Sequence, residues 1–571
     1  MIRALEPPTR VAREFGRAIQ GLHVRLGGDP EAAPVVGRWG TQAWREADAG
    51  HVCVDVDDAA ARDALAASPL VGPAAVQRPL VLERGALYLH RLWHAESTLA
   101  AAVRALDVPA PLAPPDAVTR ALRDVSAGFP GDVSGAVTGD VSAGVSAGAD
   151  PADPQQRAVA CALDRRLTVL SGGPGTGKTT TLARLLVAYA GLAPHARIVY
   201  AAPTGKAAAR LAQSLAAQLP WLDPSGTLRA RLPAAGQTVH RLLGARTGPA
   251  GRSPLDHDLV IVDEASMLDI ELAARLCDSI GPQSRLVLAG DRDQLASVEA
   301  GAVFADLCAA PLAGVVVLER NYRQQDAPDI GALAARIRDA AERGTAASAD
   351  WPATVLLAVP SAAAIVDEAL AAWRGAFDAI AAGAAPERVL AAYDAHRVLA
   401  AMRDGPVGID VLNRAFAQRV RRLAAGPASA DWYAGRLVMV TKNLPGLGLF
   451  NGDVGVCMPD PRGAGGAGLV VAFGAADDVR LLPVLQMPAC EDAWAMTVHK
   501  AQGSEFESVA LVPAPVGHPL NTRELVYTGV TRARRRLSVW GSREAIDEAA
   551  RRPSQRHGRL AGRLAERATP R

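Results

Sequence analysis

The stretch LTVLSGGPGTGKTT, residues 167–180, constrains the fold of this chain more than any other. Residues 167–170 are mostly apolar and read as a buried strand. Gly172, Gly173, Pro174, Gly175, Thr176, Gly177, Lys178 and Thr179 then fit the pattern GxxxxGKS/T, and Thr180 leads into a helix. Leu182, Leu185, Leu186 and Tyr189 of that helix fall at i, i+3, i+4, i+7. A glycine-rich turn that binds nothing is the bland alternative. Strand, loop and helix in register are the context that makes the pattern a phosphate site instead. The glycines let the backbone wrap a polyphosphate with successive N–H groups pointing at it, and the positive end of the helix dipole adds to that field. Lys178 then reaches the β- and γ-phosphates, and the Thr179 hydroxyl can ligate Mg²⁺. The expectation is a nucleotide site.

At 571 residues the chain exceeds one ordinary core, which suggests roughly three or four domains. Hydrophobic content of 49% with 21% charged residues is that of a folded soluble protein. Net charge is only +2, so any DNA path must be a local groove rather than a basic body. The N-terminus MIRALEPPTR has no apolar run of signal-peptide length, and no membrane-length run follows. A cytoplasmic protein with no membrane partner is expected. The six cysteines are scattered without a CxxC pair, which argues against disulfide scaffolds, zinc ribbons and iron–sulfur clusters.

Residues 1 to about 120 read as a separate unit, with a helix over 11–26, a strand over 51–56 and a hairpin entering a helix over 80–96. His90 and His94 lie four apart there, and a partly buried or solvated pair accounts for them. From Asp124 to Asp150, Gly, Ser, Ala and Asp dominate. Such a segment cannot bury enough surface to order itself and reads as a flexible linker.

Beyond the phosphate loop, apolar runs at 198–201, 259–262 and 286–289 read as parallel strands covered on both faces. Asp263 and Glu264 come directly after the second of these. A carboxylate at that strand end can hold Mg²⁺, and its neighbour can orient and deprotonate an attacking water. Kinases of the same fold usually need no such glutamate, so the pair favours hydrolysis over phosphoryl transfer to a metabolite. Gln294, within GDRDQL after the next strand, is placed to sense a γ-phosphate. Gln155, in DPQQR ahead of the first strand, could read an adenine edge.

A second set of strand signals starts at 314–318 and continues at 398–401, 509–512 and 537–540, with a helix at 523–533. Two α/β lobes with one phosphate loop suggest a nucleotide clamped between them. Arginines from the second lobe, Arg323 and Arg532, would neutralise charge developing at the γ-phosphate. Arg534, Arg535 and Arg536 could instead be a solvated basic run. Residues 431 to about 490 alternate short apolar stretches with Gly-rich turns and read as a small β-barrel insert. The Arg-rich stretch that closes the sequence reads as a frayed, solvated tail.

Taken together these motifs resemble the superfamily 1 helicases of the 5′→3′ class. The series runs Gln155, GGPGTGKTT, APTGKAA from Ala202, QTVHRL from Gln237, DEAS, GDRDQL, NYRQ, TVHKAQGSEF from Thr497 and LVYTGVTRARRRL. Within that class the chain is most similar to the RecD family, the alpha chains of bacterial exonuclease V (RecBCD). LYLHRLWHAE and GRLVMVTKNLPGLGLFNGDVGV, outside the shared helicase motifs, support this. The resemblance implies an ATP-driven motor tracking 5′→3′ on single-stranded DNA, within a heterotrimer that unwinds duplex ends for recombinational repair and DNA degradation.

The implied architecture is two RecA-like lobes with parallel sheets, at 151–313 and 314–571. The second lobe carries an SH3-like barrel insert at 431–490. A mainly helical N-terminal domain, 1–122, would dock RecB-like and RecC-like partners, and 123–150 would be a linker. Lys178, Asp263, Glu264, Gln294, Arg323 and Arg532 take the catalytic roles by the same resemblance. Thr179 and Asp263 hold Mg²⁺, and Thr204, His240, Thr497 and His499 line the DNA path. The short stretch 244–255 leaves little room for a strand-splitting hairpin, and no nuclease constellation is visible, so degradation would belong to a partner. A stand-alone helicase of the same class would carry an additional DNA-binding module, which residues 1–120 do not suggest. A subunit with a vestigial ATPase would show damaged catalytic residues, and all six are present.

Overall fold

A computed structural model describes residues 8–72, 76–127, 153–223, 225–227, 229–233, 235–244, 254–320, 327–344, 346–348, 351–423, 431–462, 468–474 and 479–566. The N-terminal part combines helices with a four-stranded sheet: β1 (Cys53–Asp55), β2 (Val71–Gly72), β3 (Leu80–Glu83) and β4 (Ala86–Leu89), ordered β1-β4-β3-β2. The β3–β4 connection is a two-residue turn in which Arg84 and Gly85 both have positive φ, +53° and +77°. That backbone twist matches the twist of the flanking strands. The helix Arg10–Arg25 starts at Thr9, whose side chain accepts from Ala12 N, and buries Ala12, Gly16 and Ile19. Helix His90–Leu106 packs on Ile270–Asp278 of the first lobe. Leu92, Leu99 and Val103 thereby share one apolar core with Leu272 and Leu276.

The first lobe is a six-stranded parallel sheet: β5 (Leu167–Gly172), β6 (Ile198–Ala202), β7 (Gln237–Thr238), β8 (Leu259–Val262), β9 (Arg285–Gly290) and β10 (Val315–Leu318), ordered β10-β5-β9-β8-β6-β7. β5, β8 and β9 are buried along their whole length, as their continuous apolar runs require. The 315–318 run does not open the second lobe as its position suggested. It pairs in parallel with β5, Val315 beside Val169 and Leu318 beside Gly172. Helix Pro115–Ala127 takes up the first residues of the stretch read as linker and packs on the helix after the phosphate loop. The remainder of that stretch lies outside the described residues.

The second lobe is a five-stranded parallel sheet made from β11 (Leu356–Ala358), β12 (His396–Ala400), β18 (Ala495–Thr497), β19 (Phe506–Val512) and β20 (Ala533–Trp540), ordered β11-β20-β19-β12-β18. Between β12 and β18 the chain leaves to form an antiparallel sheet of β13 (Leu437–Val440), β14 (Val454–Pro459), β15 (Leu469–Phe473), β16 (Arg480–Pro483) and β17 (Cys490–Asp492). Its order is β16-β15-β14-β13-β17, and β17 carries it slightly past the expected end at 490. The helix expected over 523–533 stops at Val530, because Ala533 already pairs with Phe506 at the start of β20. Arg534, Arg535 and Arg536 lie exposed on β20, with Arg534 and Arg535 paired to Glu505 and Glu507.

The end of the chain corrects the reading of a frayed tail. After helix Arg543–Arg551 the backbone crosses to the N-terminal sheet and forms a further helix, Leu560–Ala565, with Leu560 and Leu564 buried. Arg563 donates to Glu96 at 2.9 Å and also pairs with Glu83. Glu96 is fully buried, and a buried carboxylate persists only with such a partner. No helix among the described residues is long and apolar enough to cross a membrane.

Candidate nucleotide and DNA site

The phosphate loop follows β5, where the sheet ends in small residues. Gly175 and Gly177 adopt φ of +81° and +86°, conformations that glycine reaches at little steric cost. Gly177 is the left-handed cap of helix Lys178–Leu192. The loop is braced from within, as Thr176 Oγ1 donates to Gly173 O at 2.8 Å. Lys178 Nζ donates to the carbonyls of Gly172 and Gly173 at 2.5 and 3.2 Å, which holds its charge over the mouth of the loop. Thr179 and Thr180 occupy the first turn of the helix, both half-buried. Gln155, buried in the first turn of helix Pro154–Asp164, donates from Nε2 to Thr176 O at 3.4 Å and accepts from Arg184 at 3.0 Å. The structure thus brings the DPQQR segment against the phosphate loop.

Asp263 sits at the C-terminal end of β8, anchored through its N–H to Ala201 O at 3.0 Å. Burial first, and then the neighbouring Glu264, push its carboxyl above the usual carboxylate range, while Lys178 and Arg210 pull it back. A crowded, desolvated carboxylate beside a phosphate loop is suited to a cation. Glu264 has φ of +53°, one of two non-glycine residues among those described with positive φ. Strain of this kind costs about 1–3 kcal/mol and concentrates at functional sites. Here it turns Glu264 away from the strand direction that Asp263 continues.

Gln294 also falls in this cluster. Its Nε2 donates to Asp291 at 3.0 Å, and its Oε1 is buried without a hydrogen-bond partner among the described residues. The second lobe reaches the same place. Tyr527 Oη donates to Asp291 at 3.2 Å, and a Cβ built on Gly173 would lie 2.9 Å from that hydroxyl. Burial, then Asp291 and Asp293, keep the Tyr527 phenol protonated and hence a donor. Leu295 N donates to Thr528 Oγ1 at 3.0 Å, and Gln502 Nε2 to Leu295 O at 2.9 Å. Both lobes therefore meet on the segment that carries Gln294. Asp291 and Tyr527 were missed as site residues, although both lie inside motifs already singled out.

Arg532 is buried and holds the carbonyls of Thr528 and Ser504, each at 3.1 Å, with no carboxylate partner among the described residues. Arg323 lies outside the described residues, as does most of the short stretch 244–255. Glu505 ties the lobes together from the other side, accepting from Arg210 of the first lobe at 2.6 Å.

Thr204 and His240 follow β6 and β7, which pair in parallel with Ala202 beside Thr238. They consequently sit just past the carboxyl ends of adjacent strands. Thr204 caps helix Gly205–Leu222 through Ala207 N at 3.2 Å, and His240 is exposed. Thr497 ends β18, and half-buried His499 follows in a single helical turn. Burial and then Arg556 lower the His499 pKa, so its ring favours the neutral form. Phe450 at the tip of the inserted sheet packs over Gly205, 3.0 Å from a Cβ built there. The insert therefore touches the first lobe beside Thr204.

Two parallel α/β lobes, one phosphate loop and a Gln-bearing segment gripped from both sides define a two-lobed P-loop motor of the helicase type. Residues 151–351 match the model of the AAA domain family and 492–540 that of the UvrD-like helicase C-terminal domain. The RecBCD enzyme subunit RecD of Mycolicibacterium smegmatis is 38% identical over 560 residues, covering 90% of this chain and 91% of that one. The same subunit of Mycobacterium tuberculosis is 40% identical over 444 residues, covering 72% and 73%. The ATP-dependent RecD2 DNA helicase of Deinococcus radiodurans is 34% identical over 397 residues, but only 48% of its length is covered. The chain belongs to the RecD family.

Proposed function

We propose that this chain is the ATP-hydrolysing helicase subunit of a RecBCD-type complex, tracking 5′→3′ along single-stranded DNA. The observation that carries the reading is the meeting of Gly173, Asp291 and Gln294 with Tyr527, Thr528 and Gln502 from the other lobe. A nucleotide on the loop borders on both lobes at once, so its state biases their closure, and alternating closure moves a strand held across them.

The residues present fit ATP with Mg²⁺. The loop N–H groups and Lys178 hold the polyphosphate, and Gln155 reads the base edge. Thr179 and Asp263 would hold the metal, which when bound screens charge between the phosphate oxygens. Glu264 accepts a proton from the attacking water, while Arg323 and Arg532 supply positive charge near the γ-phosphate. Thr204, His240, Thr497 and His499 line the strand path, where grip combines phosphate contacts with base stacking.

The division into an N-terminal docking domain (1–122), a linker (123–150) and two lobes belongs to the same reading, with the boundary between the lobes moved from 313 to just past β10, at 318. We read the inserted antiparallel sheet as an SH3-like barrel. RecB-like and RecC-like chains are the expected partners, the nuclease lies in one of them, and the complex works on DNA in the cytoplasm. A stand-alone helicase, after the 34% identity to RecD2, is the second reading; the 38% identity over 91% of the Mycolicibacterium smegmatis RecD subunit favours the first.

The test is ATP hydrolysis by the purified chain, alone and with its partner chains, as single-stranded DNA is titrated in. Hydrolysis is expected to rise at least about tenfold with DNA. DNA-independent or absent hydrolysis in the assembled complex would overturn the reading.

A further inference from the structure

The segment that follows helix Arg543–Arg551 visits all three parts of the molecule. Its last hydrogen bond to the second lobe among the described residues is from Ser554 N, which donates to Glu524 at 2.6 Å. Two residues later the Arg556 guanidinium donates to Ser297 O at 3.0 Å, Glu299 O at 3.4 Å and Ala49 O at 3.3 Å. The first two carbonyls belong to the loop just past Gln294, and the third to the N-terminal domain. The backbone then joins the N-terminal domain, with Val52 N donating to His557 O at 2.7 Å and His557 N to His51 Nδ1 at 2.8 Å. Arg559 N and the Arg563 side chain close on Glu96 at 2.6 and 2.9 Å.

Two features show that the Arg556 junction is built in from both sides. Gly50 has φ of +86°, and a Cβ built on it would fall on the Arg556 guanidinium. Gly50 O in turn accepts from Gly301 N at 2.9 Å. The loop from Leu295 to Gly301 is thus held at its start by Gln502 and Thr528. Further along it is held by Arg556 and Gly50, and between these holds Val298 is 71% exposed. Leu295 and Ala300 anchor the loop's ends in apolar cores, but the stretch between them buries no apolar side chain and depends on backbone bonds for its position. Bonds from a charged donor are the strongest available to it.

We infer that Arg556 is a positioning residue for the Gln294 segment, and that through it the placement of the N-terminal domain sets how firmly that segment is held. The link to ATP turnover rests on the function proposed above; the link to loop order does not. A partner that shifts the N-terminal domain would move Ala49 and Gly50 against Arg556 and so loosen or tighten the Gln294 loop.

The test is amide hydrogen exchange on the full chain, comparing the natural protein with Arg556→Ala and Arg556→Lys. Arg556→Ala is expected to speed exchange of amides 295–301 by about tenfold or more and to leave amides 172–180 of the phosphate loop unchanged. Lysine retains the charge but cannot span three carbonyls, so Arg556→Lys should restore protection only in part. Gly50→Ala attacks the junction from the N-terminal domain and should speed exchange at the same loop. Unchanged exchange at 295–301 in folded Arg556→Ala would overturn the inference, whatever the ATPase does. If the natural chain is DNA-stimulated, Arg556→Ala should also raise the DNA concentration for half-maximal stimulation about tenfold. Unchanged stimulation beside faster loop exchange would overturn the coupling to turnover.

Discussion

Lys178→Gln is expected to lower ATP turnover by about 10²–10³-fold, the usual cost of removing one charge-stabilising donor from a preorganised site. Glutamine keeps part of the stem and an amide with two N–H donors, so the carbonyls of Gly172 and Gly173, which Lys178 now caps, stay partly satisfied. The loop conformation rests on Gly175, Gly177 and the internal Thr176–Gly173 bond, none of which involves the lysine. The loss is therefore electrostatic, and stability should fall by only about 1 kcal/mol. Steady-state turnover beside a thermal unfolding curve separates the two effects. Turnover within threefold of the natural protein would remove Lys178 from the chemistry.

Glu264→Gln is expected to lower turnover by about 10²–10⁴-fold, the range spanned by loss of a general base, while nucleotide affinity stays within a few-fold. The reason lies in the division of labour after β8. Asp263 continues the strand, half-buried, with its carboxyl pKa pushed up by desolvation and by the neighbouring Glu264. Glu264 is turned aside by its left-handed backbone. Glutamine preserves size and hydrogen bonding but cannot take a proton. Because the backbone strain is unchanged, the variant should fold normally. Equilibrium binding of a fluorescent nucleotide together with single-turnover hydrolysis checks both halves. A matched loss of affinity and turnover would point to a binding role for Glu264 instead.

The phosphate loop was legible because everything that makes it is local. Strand, glycine spacing, lysine and amphipathic helix occupy one run of residues, and Asp263 and Gln294 each follow a strand that reads as buried. What the sequence hid is non-local. Val315–Leu318 is an apolar strand wherever it pairs, and nothing in its residues says that β5 is its neighbour. Tyr527 and Asp291 are 236 residues apart, and Arg563 and Glu96 are 467 apart. A carboxylate in a helix beside apolar residues looks solvated until its partner arrives from the other end of the chain. The closing Arg-rich stretch misled for the same reason. Its apolar residues are too few to mark a docked helix, and its arginines find carbonyls and carboxylates only in the folded molecule.

The central claim, a motor moving toward the 3′ end of one strand, is tested most directly by displacement of streptavidin from biotinylated oligonucleotides. ATP-driven displacement from the 3′ end, absent at the 5′ end and lost in Lys178→Gln, is the expected result for the chain in its complex, with the partner chains' own motors inactivated. Displacement from the 5′ end alone, or none while DNA-stimulated hydrolysis persists, would contradict it.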